Sequence, residues 1–306
     1  MTAVSIVARV IALTIVLFVC FAVAGVLVGM PSNSQTSESA AAAALPLLVL
    51  CALEVIVVTY LILRSRWTGW RLTAAVFFVF YGVTTFMPQI ESAVFLTRLP
   101  AGTVPRLFLM GALIAAPFSV LAVFILGKRK AKAVTPERNS RLVLPASEWG
   151  WKLAVIAGAY LILYFTFGYF IAWRNPAVRE YYGGVDQGSF VAQMGTVLRN
   201  TPWLVPFQIV RAMCWVVIAL PVIRMLKGQR LETALAIGFL FAVVMNAQLL
   251  LPNPYMPEPV RLAHLVETAS SNFIFGLLIG WLLTERPALS RVTDAERGLI
   301  GDEATS

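Results

Sequence analysis

Eight long apolar runs separated by short polar stretches set the plan of this chain, at roughly 6–29, 43–63, 72–95, 106–127, 151–173, 203–226, 231–251 and 263–284. Each approaches the ~20 residues that a helix needs to cross the hydrocarbon core of a bilayer. None alternates apolar and polar positions as a barrel strand does, and lipid offers no partner for an open strand edge, so every run is predicted to be helical. The expected fold class is all-α: a polytopic transmembrane helix bundle of about eight helices. The runs fall into a first four-helix half (1–127), a basic linker (128–150), a second four-helix half (151–284) and a polar tail (285–306).

Composition agrees with this plan. The 306 residues are 59% hydrophobic and 13% charged, with a mean hydropathy of +0.81, whereas an average soluble domain carries about 25% charged residues. The net charge of +9 does not point to nucleic acid, because the basic residues sit in short loops between apolar runs and set orientation there. Cys20, Cys51 and Cys214 all lie inside apolar runs and read as small buried hydrophobes. The first run contains Ala22-Val23-Ala24, which resembles a signal-cleavage site. It is longer than a signal-peptide core and lacks a basic leader, so it is read as a retained helix.

Orientation follows from the Lys and Arg count. Sixteen fall in one set of loops and the tail, seven of them within 128–152, and six in the opposite set: Arg98, Arg106, Arg174, Arg179, Arg199 and Arg261. The positive-inside rule places the richer set, with both termini, in the cytoplasm of a multi-pass protein of the cell inner membrane.

The two halves carry short matches in corresponding places. Gly69-Trp70-Arg71-Leu72 precedes the third run and Gly228-Gln229-Arg230-Leu231 the seventh, while Val104-Pro105-Arg106-Leu107 opens the fourth and Pro259-Val260-Arg261-Leu262 the eighth. Four spans return a chain to its starting side, so an internal repeat here would be parallel, as in several transporter folds. Between the fifth and sixth runs, Asp186-Gln187-Gly188-Ser189 offers a helix start, followed by Phe190, Met194, Val197 and Leu198 at helical spacing. That predicts a short helix on the outer interface.

Polar groups inside a span are costly and each needs a partner or a purpose. Glu54 is near mid-membrane. The others, including Gln89, Glu91, Gln208, Arg211, Asn246, Gln248, His264, Glu267, Ser270, Ser271 and Asn272, gather toward the outer half. Gln208 and Arg211 share a helix face, and His264, Glu267 and Ser271 form one stripe. Arg211 is expected to pair with Glu267 or Glu91, since a lone buried charge is expensive. Asn246 and Gln248 suit interhelical hydrogen bonds. Substrate binding is therefore assigned to Arg211, Glu267, His264, Glu91, Gln208, Asn246 and Ser271. His264 is the only histidine, too few nitrogen or sulfur donors accompany it for zinc, and neither metal nor cofactor is expected.

Gly276 and Gly280 should allow close helix approach, and Pro117, Pro206 and Pro221 predict kinks. The chain has no phosphate-binding glycine loop, no Gly-x-Ser-x-Gly and no Cys-x-x-Cys. Three classes follow, in order. The first is a transporter or lipid-handling protein holding an anionic or amphipathic substrate on Arg211, with Arg179 and Arg261 as helpers. The second is an intramembrane enzyme with a Glu/His acid–base pair, and the third a non-catalytic accessory protein. Membrane lipids are the expected partners in every case.

Overall fold

The computed structural model describes residues 2–29, 37–96, 99–130, 141–186, 188–252 and 255–284. The expected tail, and Lys132 and Arg138 of the linker, lie outside the described residues. Among the described residues eight helices are long and apolar enough to span a bilayer: Ala3–Val28, Ala43–Arg64, Gly69–Phe95, Thr103–Ile125, Ala146–Trp173, Leu204–Met225, Arg230–Leu250 and Glu258–Leu283. These are the first to eighth spans below. The chain is a multi-pass, all-helical membrane protein.

Within the first half the first span packs on the second and fourth, the third on the fourth, and the second on the third. The second half has the corresponding contacts: fifth on sixth and eighth, seventh on eighth, sixth on seventh. Between halves, the second span meets the seventh and the third meets the sixth. The third and seventh also touch each other through short π-helical segments, Gly82–Phe86 and Leu240–Val244. The core fills this centre with large side chains. Trp215 and Phe241 have ring centroids 4.3 Å apart, and Phe80 lies 5.0 Å from Phe118.

Small residues set the closest approach. A Cβ on Gly276 would lie 2.7 Å from the Ile237 carbonyl oxygen, and one on Gly280 would lie 2.4 Å from Ala234 Cα. The seventh and eighth spans can therefore touch backbone to backbone there, as the Gly-x-x-x-Gly spacing predicts.

Irregular geometry arises from π segments as well as from proline. The fifth span ends in a third one, Gly168–Trp173. Each π turn leaves carbonyls that the i→i−4 ladder does not satisfy, and side chains cover them in two spans: Thr84 Oγ1 donates to Phe80 O at 2.8 Å, and Asn246 Nδ2 donates to Ala242 O and Phe241 O at 2.8 and 3.1 Å. Pro117 and Pro221 are inside their helices. Pro206 instead occupies the first turn of Leu204–Met225, where no intrahelical N–H bond is lost. The expected kink beside Arg211 thus has no local cause.

The two ends of the bundle differ. One carries Arg64, Arg66, Lys128, Arg141, Arg224, Lys227 and Arg230 and is called the basic end below. The opposite end carries two short helices between the fifth and sixth spans. Phe190–Asn200 is the expected interfacial helix, capped by Ser189 Oγ accepting from Ala192 N at 3.2 Å. Pro176–Tyr182 is additional, with Asn175 as N-cap, Pro176 at the first turn and Gly183 at φ 67° closing it.

Candidate functional site

Opposite the basic end, the third, sixth and eighth spans bring most of the predicted site residues into two clusters. In the first, Arg211 on the sixth span donates from Nη2 to Glu91 Oε2 at 2.7 Å and from Nη1 to Glu91 Oε1 at 3.4 Å. Nη1 also donates to Gln208 Oε1 at 2.9 Å, one turn earlier on the same helix. The partner is thus Glu91 on the third span, and Glu267 is engaged elsewhere. The pair is lopsided: the Arg211 side chain is 3% exposed and that of Glu91 32%. The guanidinium carbon sits 5.9 Å from the ring centres of both Tyr160 and Phe207, so aromatic faces wall the charge. Two donors in this cluster remain unused. Arg211 Nε and Gln208 Nε2 are buried and meet no acceptor among the described residues.

The second cluster is a relay on the eighth span. His264 Nδ1 lies 2.7 Å from Glu267 Oε2, and His264 Nε2 lies 3.1 Å from the Tyr182 hydroxyl. An ionised carboxylate only accepts, so the hydrogen between His264 and Glu267 is on Nδ1. Nε2 accepts from the Tyr182 hydroxyl when the ring is neutral and donates to its oxygen when the ring is protonated. Burial pushes the Tyr182 phenol up, and the Glu91 and Glu267 carboxylates add to the rise, so the hydroxyl stays a donor at neutral pH. Tyr182 thus lies within electrostatic reach of a carboxylate from each cluster. Tyr160 and Tyr164 on the fifth span lie within electrostatic reach of Glu91, Arg211 and Glu267. Gly168 opens the π segment against this relay, where a Cβ would stand 3.4 Å from Glu267 Oε1.

Asn246 and Ser271 do not join either cluster through the contacts they make. Asn246 Oδ1 accepts from Thr268 Oγ1 at 2.5 Å while its amide covers the π-segment carbonyls, which ties the seventh span to the eighth. The Ser271 hydroxyl turns back to Thr268 O at 3.4 Å. Arg179 and Arg261 hold carbonyls, at Trp173 O (2.7 Å) and Leu249 O (2.6 Å). Glu54, at the middle of the second span, is 1% exposed and its Oε2 meets no donor.

Tyr160 and Thr268 were not legible as site residues, and Tyr182 was legible only as one of the tyrosines of a turn-rich loop. Tyr182 belongs to a loop helix whose signal, Asn175-Pro176 followed by Gly183, sits in plain sequence. Tyr160 and Tyr164 lie near the middle of the fifth span and carry no spacing signal; the fold places Tyr160 beside Arg211. No group of three or more His, Cys, Asp or Glu side chains able to hold a metal occurs among the described residues. Compared with protein-family models, curated proteins and solved structures, the chain matches none.

Proposed function

We propose that this protein is a transporter or lipid-handling protein whose outer-half site takes the anionic group of a small or amphipathic substrate. The observation that carries the reading is the pair of buried, unused donors on Arg211 Nε and Gln208 Nε2. A buried donor without an acceptor costs free energy comparable to a lost hydrogen bond. A phosphate or carboxylate oxygen supplies acceptors of the kind that a guanidinium fork and an adjacent amide fit. Glu91 neutralises Arg211 while the site is empty. Being partly exposed, it can yield its place to an incoming anion at smaller cost than a fully buried carboxylate. Among the seven residues assigned to binding, Arg211, Gln208 and Glu91 make the direct contact in this reading. Glu267 and His264 form the adjoining wall, and Asn246 and Ser271 support it.

The same reading includes an internal repeat and an orientation. Arg71 to Gly82 in the third span and Arg230 to Leu240 in the seventh differ by one residue, so the two π segments begin at matching places. The paired contact pattern of the halves supports a parallel repeat about an axis along the membrane normal. The basic end faces the cytoplasm by its Lys and Arg excess, and the site then opens outward.

A second reading, an intramembrane enzyme, is favoured by one observation. His264 is oriented by Glu267 and carries a free-standing Tyr182 donor on its other nitrogen, the arrangement of a held acid–base imidazole. Native mass spectrometry of the protein released from detergent separates the two. Transport predicts a bound anionic species that is lost in Arg211→Gln and kept in His264→Gln. A bound species indifferent to Arg211, or chemically altered only when His264 is intact, would overturn the first reading.

A further inference from the structure

We infer that the basic end of the bundle is a gate: a seam between the two four-span halves that parts to connect the Arg211 site with that side. The inference rests on the transport reading, and deepens it by locating the barrier.

The seam begins at an isolated antiparallel bridge between Ser65 and Leu226, the residues that follow the second and sixth spans. Arg66 N donates to Met225 O at 2.7 Å, and Lys227 N donates to Arg64 O at 3.0 Å. The two bonds exchange under the shift that superposes Ser65 on Leu226. Ser65 and Leu226 directly follow the second and the sixth spans, so the contact ties the corresponding corners of the two halves together. Such a contact closes a central path at one point.

Side chains reinforce it from both halves. Arg64 Nε and Nη2 reach Glu232 Oε1 and Oε2 at 2.5 and 2.8 Å, and the Tyr60 hydroxyl reaches Oε1 at 2.8 Å. Those bonds join the second span to the seventh. Lys128 Nζ donates to Ser65 O at 2.8 Å, and Arg141 donates to Ile223 O at 2.9 Å and to Gly228 O. The basic segments after the fourth and before the fifth span thereby hold the two corners that form the bridge.

Directly above the seam the centre is apolar. Val58, Leu61, Val79, Phe80, Met225 and Leu240 surround a void of about 10 Å³. That is at the lower limit for one water, and the lining offers it no polar partner. The polar clusters stand in the other half of the bundle, beyond the touching π segments. A polar side with a partly exposed carboxylate, an apolar plug and a polar seam in series are what a closed gate requires.

The seam is also built to break. Arg64 and Glu232 side chains are 46% and 25% exposed, so water can replace each partner at little cost. The bridge has a single residue pair and no strand to extend it.

The test reads access and needs no substrate. In a chain with Cys20, Cys51 and Cys214 replaced by Ala, Val79→Cys reports on the plug through its reaction with a thiol reagent added from the basic side of oriented vesicles. Glu232→Gln should raise its rate by roughly two- to fivefold, the population change that loss of one partly exposed ion pair produces. The exchanged pair Arg64→Glu/Glu232→Arg should bring it back, and Glu148→Gln, which breaks an ion pair away from the seam, should leave it unchanged. A rate equal in all four backgrounds would overturn the gate.

Should Glu232→Gln not fold, Ser65→Cys/Leu226→Cys decides. The non-hydrogen-bonded antiparallel pair sets Cα atoms about 4.5 Å apart, within disulfide reach. Oxidation should slow hydrogen exchange over residues 74–81 relative to the reduced form, and equal exchange would refute the seam as a gate. A working gate without any solute flux would instead refute transport alone.

Discussion

Arg211 and Glu91 meet 120 positions apart in sequence through a two-pronged contact in which the cation is buried and the anion is partly exposed. The asymmetry decides what each partner leaves behind when the other is removed. Without Glu91 the guanidinium stays in a low-dielectric wall of Tyr160 and Phe207 with an uncompensated charge. Without Arg211 the carboxylate, one turn from its helix end at Phe95, turns to water.

Glu91→Ala is therefore expected to destabilise the protein by about 3–5 kcal/mol, the range for breaking a buried pair. Arg211→Met should cost less, because it leaves no buried charge and keeps much of the apolar volume. The double variant should recover a good part of the Glu91→Ala loss. Thermal unfolding in detergent checks this. Equal single losses that simply add would mean the pair is not coupled.

The glycines of the eighth span and one of the fifth give a contrasting pair. Gly276→Ala and Gly280→Ala push a methyl into the backbone of the seventh span and should destabilise by about 1–3 kcal/mol, the cost of overpacking. Gly158→Ala meets nothing within 4 Å and should be neutral or stabilising by up to about 1 kcal/mol from helix propensity. Losses of similar size at all three positions would show that the seventh and eighth spans do not touch as closely as described.

The relay predicts a saturating loss. Tyr182→Phe removes one hydrogen bond to His264 and should cost about 0.5–1.5 kcal/mol. Combined with His264→Ala it should add nothing further, because the hydroxyl has already lost its partner. An independent contribution in the double variant would place the Tyr182 hydroxyl on some other group.

Much of the architecture was legible because lipid enforces it. The span centres follow from apolar length alone, and the interfacial helix at Phe190–Asn200 follows from Asp186, Ser189 and a helical period. The π segments were not legible, since whether a side chain such as Thr84 or Asn246 covers a freed carbonyl depends on local and tertiary fit. Sequence brought Arg211 to the right depth but could not choose between Glu91 and Glu267, which lie at similar depth on different helices. Ser271 shows the reverse error. Helical spacing aligned it with His264 and Glu267, yet its hydroxyl bonds its own backbone, an option that periodicity does not register.

Sidedness supplies the remaining prediction, and it joins the Lys/Arg count to the position of the site. Reporter fusions at Gly228 and Asn139 should read cytoplasm, and those at Gly184 and Met256 the external side. Should the polar clusters line a path from that external side, Ser271→Cys on the half-buried face of the eighth span should react with an impermeant thiol reagent added outside, after replacement of Cys20, Cys51 and Cys214. Leu278→Cys, two turns deeper and beside the Gly276/Gly280 contact, should not react until the seam opens. A Leu278→Cys that reacts with the external reagent in the resting protein would move the barrier inward, past the Gly276/Gly280 contact toward the basic end. Reaction of Ser271→Cys only from the basic side would reverse the orientation and, with it, the direction in which the site faces.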